Sequence, residues 1–119
     1  KASWGYDEAV EADVPSYDPE GAKELLAEAG YADGMELDIY VTNETFRQKA
    51  ATILQSYWKM VGVDLNINTV EWGTFSEVGS SGQADVFAMG WLWYPDPYFF
   101  FDKMFKSDAI GTLGNGQRI

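Results

Sequence analysis

Two hydrophobic periods alternate along this chain, and their order limits the fold more than any other feature. Residues 35–41 set Leu37, Ile39 and Val41 against Glu36, Asp38 and Tyr40. That period of two belongs to a strand with one buried face. Residues 63–70 repeat it, with Val63, Leu65, Ile67 and Thr69 against Asp64, Asn66 and Asn68. Between them, Phe46, Ala50, Ile53, Leu54, Tyr57 and Val61 recur at helical spacing over roughly 44–61. Asn43 or Thr42 is the expected cap of that helix, and Gly62 its stop.

Helix signals also precede and follow this unit. Asp18 can cap a helix, Pro19 suits its first position, and Glu20 complements the N-terminal dipole. Ala22, Leu25, Leu26 and Ala29 make one apolar stripe, Gly30 ends it, and Asp33-Gly34 makes a turn. Glu71 to Val78 reads as a short helix, followed by the turn Gly79-Ser80-Ser81-Gly82. Residues 85–91 are apolar on both faces, as expected of a central strand covered on each side. Pro95 and Pro97 interrupt the chain before a last amphipathic helix over about 97–106. The order α-β-α-β-α-β-α specifies an α/β fold, with helices packed on a mixed or parallel sheet and right-handed crossovers. Residues 1–17, with Pro15 and no sustained period, read as a connecting segment, and 18–119 as the α/β unit.

Composition removes whole classes of function. The 119 residues include no Cys and no His. Disulfides, thiol redox chemistry, Cys/His zinc sites and Ser-His-Asp or Cys-His catalysis are therefore excluded. Nineteen acids against 8 bases give a net charge of −11, leaving no basic face for nucleic acid. Ten of those acids and two bases fall in residues 1–36, which supply −8 of the −11. No EF-hand spacing occurs among them, so they read as a solvated flank and a polar helix face. No metal or other cofactor is expected, and no run of 18 apolar residues occurs.

Aromatic residues make up 16% of the chain, and eight of the 19 lie within residues 91–105. Phe99, Phe100, Phe101 and Phe105 sit at helical spacing and read as core, or as cover for a neighbouring domain. The loop Gly90-Trp91-Leu92-Trp93-Tyr94-Pro95-Asp96-Pro97 is different. It follows the most apolar strand, and open α/β sheets bind ligands outside the carboxyl ends of their strands. Two prolines stiffen it. Trp91, Trp93 and Tyr94 offer flat faces with a polar atom each, and Gly90 permits close backbone approach. Gly90, Trp91, Trp93, Tyr94 and Asp96 are the candidate ligand-binding residues, although Asp96 between prolines is equally good turn chemistry.

Several stretches, taken in order, resemble the family 5 extracellular solute-binding proteins, the oligopeptide-, dipeptide- and nickel-binding components of ABC importers. They are Tyr17-Asp18-Pro19-Glu20 with Ala22-Lys23, Leu25-Leu26 and Glu28-Ala29-Gly30-Tyr31; Gly34 and its strand; Tyr57-Trp58-Lys59-Met60-Val61-Gly62-Val63; Glu71-Trp72; and Asp85-Val86-Phe87-Ala88-Met89-Gly90-Trp91 with Asp96-Pro97. The resemblance implies two α/β lobes that close on a ligand, with this chain as part of the C-terminal lobe. It implies a periplasmic or extracellular monomer that captures a peptide or oligosaccharide in the interlobe cleft and delivers it to a membrane permease. It also places Gly90-Trp91 at the cleft. Peptide-binding members carry an Asp three residues after that Trp, which pairs with the ligand's amino terminus. Tyr94 stands there in this chain and cannot replace a carboxylate. With Trp93, Tyr94 points to a ring-stacking ligand such as an oligosaccharide. Gly114-Asn115 and Gln117-Arg118 resemble a stretch that borders the cleft.

Two other readings compete with a binding lobe. One is an interaction domain that docks a protein on its aromatic face. The other is a hydrolase using Glu71, Asp85 and Asp96 as acid and base, for which their spacing offers no support.

Overall fold

The computed structural model describes residues 6–11, 13–90 and 96–115. In chain order it contains α1 (Glu8–Glu11), α2 (Pro19–Glu28), β1 (Met35–Thr42), α3 (Thr45–Lys59), β2 (Val63–Val70), α4 (Trp72–Ser81), β3 (Val86–Phe87) and α5 (Pro97–Met104). A 3₁₀ turn, Ser107–Ala109, follows. The architecture is α/β and the sheet is wholly parallel. The short α1 lies within the stretch expected to be irregular.

Strand order is β2-β1-β3. The central strand is therefore β1, not the apolar segment at 85–91. That segment contributes two paired residues, Ile39 opposite Val86 and Tyr40 opposite Phe87, at an edge of the described sheet. Apolarity on both sides identified a covered strand and carried no information about its neighbours. Asp85 compensates for the short ladder, because its Oδ2 accepts the Asp38 N–H at 2.9 Å.

β1 and β2 pair over all eight residues, from Met35 opposite Val63 to Thr42 opposite Val70. Two glycines set that start. Gly34 and Gly62 have φ of +94° and +92°, and a Cβ on Gly34 would lie 2.7 Å from the Gly62 carbonyl oxygen. Glycine avoids both the strain and the clash. The freed carbonyl then accepts the Met35 N–H at 3.0 Å.

The odd-numbered side of β1 carries the core. Ile39, Val41, Ala51 and Leu65 are buried together, with Leu37, Leu54, Trp58, Ile67, Val86 and Ala88 packed around them. Thus α3 faces the sheet with Ala51, Leu54 and Trp58. Of the face expected from the sequence, Leu54 packs on this core, whereas Phe46, Ile53 and Tyr57 are exposed, Phe46 at 80%, and Ala51 and Trp58 are turned to the sheet instead. Gln55 ties α3 down, its Nε2 donating to the Leu65 carbonyl at 2.6 Å. The expected caps also differ: Glu44 occupies the N-cap position and makes no side-chain cap bond.

α4 covers the opposite face of the sheet. Its buried Phe75 meets Phe87 edge-on, and Phe87 shares a face with its register partner Tyr40. Helices on opposite faces follow from right-handed crossovers that run in opposite directions across the sheet. The chain runs from β1 to β2 and then back past β1 to β3, so strand order reverses at β1. At the start of α2, Asp18 caps the helix as expected, accepting the Gly21 N–H at 2.9 Å.

Candidate functional site

Ligand crevices in open α/β sheets form beyond the carboxyl ends of strands, where strand order reverses. Here that point is the shared carboxyl edge of β1 and β3. The residues there are Thr42, Asn43, Glu44 and Arg47 from the β1 exit, and Ala88, Met89 and Gly90 from the β3 exit.

Their side chains are connected. Thr42 is buried at the end of β1, and its hydroxyl donates to Glu44 Oε2 at 2.8 Å. Arg47, one turn into α3, donates from Nε to the same carboxylate oxygen. Its Nη1 donates across to the Ala88 carbonyl at 3.1 Å. The Thr42 hydroxyl, and after it the Arg47 guanidinium, hold the Glu44 carboxyl below its ordinary pKa. Glu44 remains largely exposed while Arg47 is mostly covered. The edge therefore presents a fixed, ionised carboxylate braced by a guanidinium. It can pair with polar or charged ligand groups.

The residues singled out from the sequence fall differently. Gly90 is exposed at this edge, and a Cβ there would sit 3.7 Å from Arg47 Nη2, an ordinary contact. Its value to the site is position, not steric necessity. Asp96 caps α5, accepting the Tyr98 N–H at 2.9 Å, so its turn chemistry is realised. Trp91, Trp93 and Tyr94 lie outside the described residues, as do Gln117 and Arg118. The carboxylates considered for hydrolysis do separate tasks. Glu71 precedes α4, Asp85 holds the β1 edge, and Asp96 caps α5. Among the described residues, no three His, Cys, Asp or Glu side chains gather as a metal site.

Sequence reasoning missed Glu44 and Arg47. The rule that selected the loop after 85–91 applies equally to the loop after 35–42, and Glu44 and Arg47 stand there three residues apart. A concavity of about 770 Å³ lies between α2 and α3, lined by Tyr17, Pro19, Ala22, Tyr57, Trp58 and Val61. It is mostly apolar and is lined by no residue of the carboxyl ends of the strands, and its one acid, Asp18, is engaged in capping.

The phenylalanines of α5 are not core among the described residues. Phe99, Phe101 and Phe105 are exposed, and the rings of Phe100 and Phe101 each meet that of Phe105 at a tilt. No helix among the described residues is long and apolar enough to cross a membrane.

Comparison with known proteins bears on the family and the fold. Residues 1–112 match the family model described as bacterial extracellular solute-binding proteins, family 5 Middle. Di/tripeptide-binding protein 1 of Pseudomonas aeruginosa is 33% identical over 113 residues, covering 90% of this chain and 21% of its own length. Heme-binding protein A of Haemophilus influenzae is 32% identical over 115 residues, covering 92% and 21%. The chain thus spans about a fifth of the length of the curated relatives it matches. Among solved structures, a dipeptide-binding protein from a Pseudoalteromonas species, in complex with Met-Leu, superposes with a TM-score of 0.85. It is 30% identical and covers 98% of this chain and 24% of that one.

Proposed function

Because this chain belongs to the bacterial extracellular solute-binding proteins of family 5, we propose that it forms part of one lobe of an importer's ligand receptor. Residues 18–119 make the partial lobe and residues 1–17 the connection to it. The lobe contributes the carboxyl edge of β1 and β3 to a cleft that captures a short peptide, and the receptor delivers that peptide to a membrane permease outside the cytoplasm. It works as a monomer and without chemistry, since a clamshell needs only differential affinity between open and closed states.

The observation that carries this reading is the reversal of strand order at β1, with a braced, ionised Glu44 at the edge where it occurs. Peptides carry charged ends and backbone hydrogen-bonding groups that such an edge can meet. Relatives in this family include a di/tripeptide-binding protein and a dipeptide complex. The loop adds Gly90, Trp91, Trp93, Tyr94 and Asp96, with the two indoles and the phenol stacking on ligand side chains. The same three rings favour a second reading, an oligosaccharide stacked on Trp93 and Tyr94.

Intrinsic tryptophan fluorescence tests both readings. We expect saturable quenching or a spectral shift with Met-Leu, absent with a cello-oligosaccharide. A response to the oligosaccharide alone would favour the second reading. No response to either would overturn the assignment of the loop.

A further inference from the structure

β3 is too short to hold its own exit in place. Its ladder consists of two register pairs, and its last backbone bond runs from Ala88 N–H to the Tyr40 carbonyl at 3.2 Å. One residue takes up the task where the ladder ends. The Arg47 guanidinium engages Glu44 through Nε and the Ala88 carbonyl through Nη1. Glu44 in turn is anchored to the buried end of β1 by the Thr42 hydroxyl. We infer that Arg47 is a positioning residue of the cleft, locking the exit of β3 against the exit of β1, and that ligand affinity depends on this lock.

The chemistry of the side chain supports the inference. A guanidinium is a planar fork that donates in two directions at once and stays charged, whereas a lysine ammonium is a point charge on a flexible stem. Bridging a carboxylate on one strand exit and a carbonyl on the neighbouring exit uses both directions of that fork. Arg47 is also the more covered member of the pair, at 24% side-chain exposure against 62% for Glu44. It stands against both exposed residues of the edge, paired with Glu44 through Nε and with Nη2 3.7 Å from where a Cβ on Gly90 would lie. The inference rests on the reading of this edge as the ligand cleft, but the lock itself does not.

The test uses the complete polypeptide that carries this chain, with Arg47→Ala and Arg47→Lys compared with the parent. Three quantities are read: amide hydrogen exchange over Val86–Gly90, affinity for Met-Leu by calorimetry, and melting temperature. In Arg47→Ala we expect exchange over Val86–Gly90 to quicken about tenfold and affinity to weaken about tenfold, the loss of a charged hydrogen bond. In Arg47→Lys we expect a melting temperature within about 2 °C of the parent. Fast exchange and weak affinity should persist, because an ammonium satisfies one partner and not both. That split is what a purely structural role would not produce. Recovery of both exchange and affinity by lysine would overturn the proposal, and so would a folded Arg47→Ala variant with affinity within about twofold of the parent. If Arg47→Ala does not fold, the lysine variant decides alone. Failure of the parent to bind Met-Leu would sink the ligand reading instead, and exchange over Val86–Gly90 would then uphold or overturn the lock by itself.

Discussion

The β1-α3-β2 unit and the α5 segment are both rich in apolar residues, yet the structure treats them in opposite ways. In the first, Ile39, Val41, Ala51 and Leu65 are no more than 2% exposed, behind an eight-residue parallel ladder. In the second, Tyr98, Phe99, Phe101 and Phe105 are between 42% and 66% exposed and meet neighbouring rings of the segment edge-on or at a tilt. Hydrophobic content made both elements. Burial came only where the chain supplied a complementary face, as β1 and β2 do for Ala51, Leu54 and Trp58. An apolar helix records that something covers it, not what does.

This contrast can be broken by substitution. Ile39→Ala removes side-chain volume from the packed side and should cost about 3–4 kcal/mol in a urea unfolding experiment. Phe101→Ala, a larger truncation on the exposed side, should cost about 1 kcal/mol or less. Equal costs would mean that α5 is as well packed as the central unit. Next in size is Gly34→Ala, which places a Cβ on a +94° φ residue and 2.7 Å from the Gly62 carbonyl. It should destabilise by about 1–3 kcal/mol, and a neutral result would mean that the paired glycines do not set the strand start. Asp96→Ala removes the α5 cap and should cost about 1 kcal/mol. A larger loss would show that α5 supports the fold more than its exposure indicates.

The smallest effect concerns pH. The Thr42 hydroxyl and Arg47 hold the Glu44 pKa below its ordinary value in the folded chain. A lowered pKa contributes stability that is present above the ordinary carboxylate value and is lost as pH falls through the lowered one. Glu44→Gln should therefore flatten a small part of the acid-side decline in the urea midpoint between about pH 6 and about pH 3. An unchanged slope would detach Glu44 from the brace.

Much of the central unit was legible because its signals are local. Asp18 and Pro19 set the start of α2, the alternation from Leu37 to Val41 set β1, and Gly62 marked the passage into β2. What was not legible depended on contacts distant in sequence. α3 is apolar on two sides, so periodicity chose Leu54 correctly but took Phe46, Ile53 and Tyr57 in place of Ala51 and Trp58. The reach of β3 depends on Asp85 bonding to Asp38, 47 residues away. The Arg47 bond to Ala88 spans 41 residues, and no periodic pattern encodes it. Residue type did point to the edge: the candidate loop and the brace emerge from neighbouring strands, and only Gly90 was visible from both sides of the argument.

The central claim is that ligand meets this chain at the carboxyl edge of β1 and β3. Amide hydrogen exchange of the complete polypeptide, with and without saturating Met-Leu, tests it most directly. Ligand bound at this edge should protect Thr42–Arg47 and Ala88–Gly90, with no protection at the Tyr17–Tyr57 groove or along the exposed side of α5. Protection confined to the groove or to α5, with the strand exits unchanged, would contradict it.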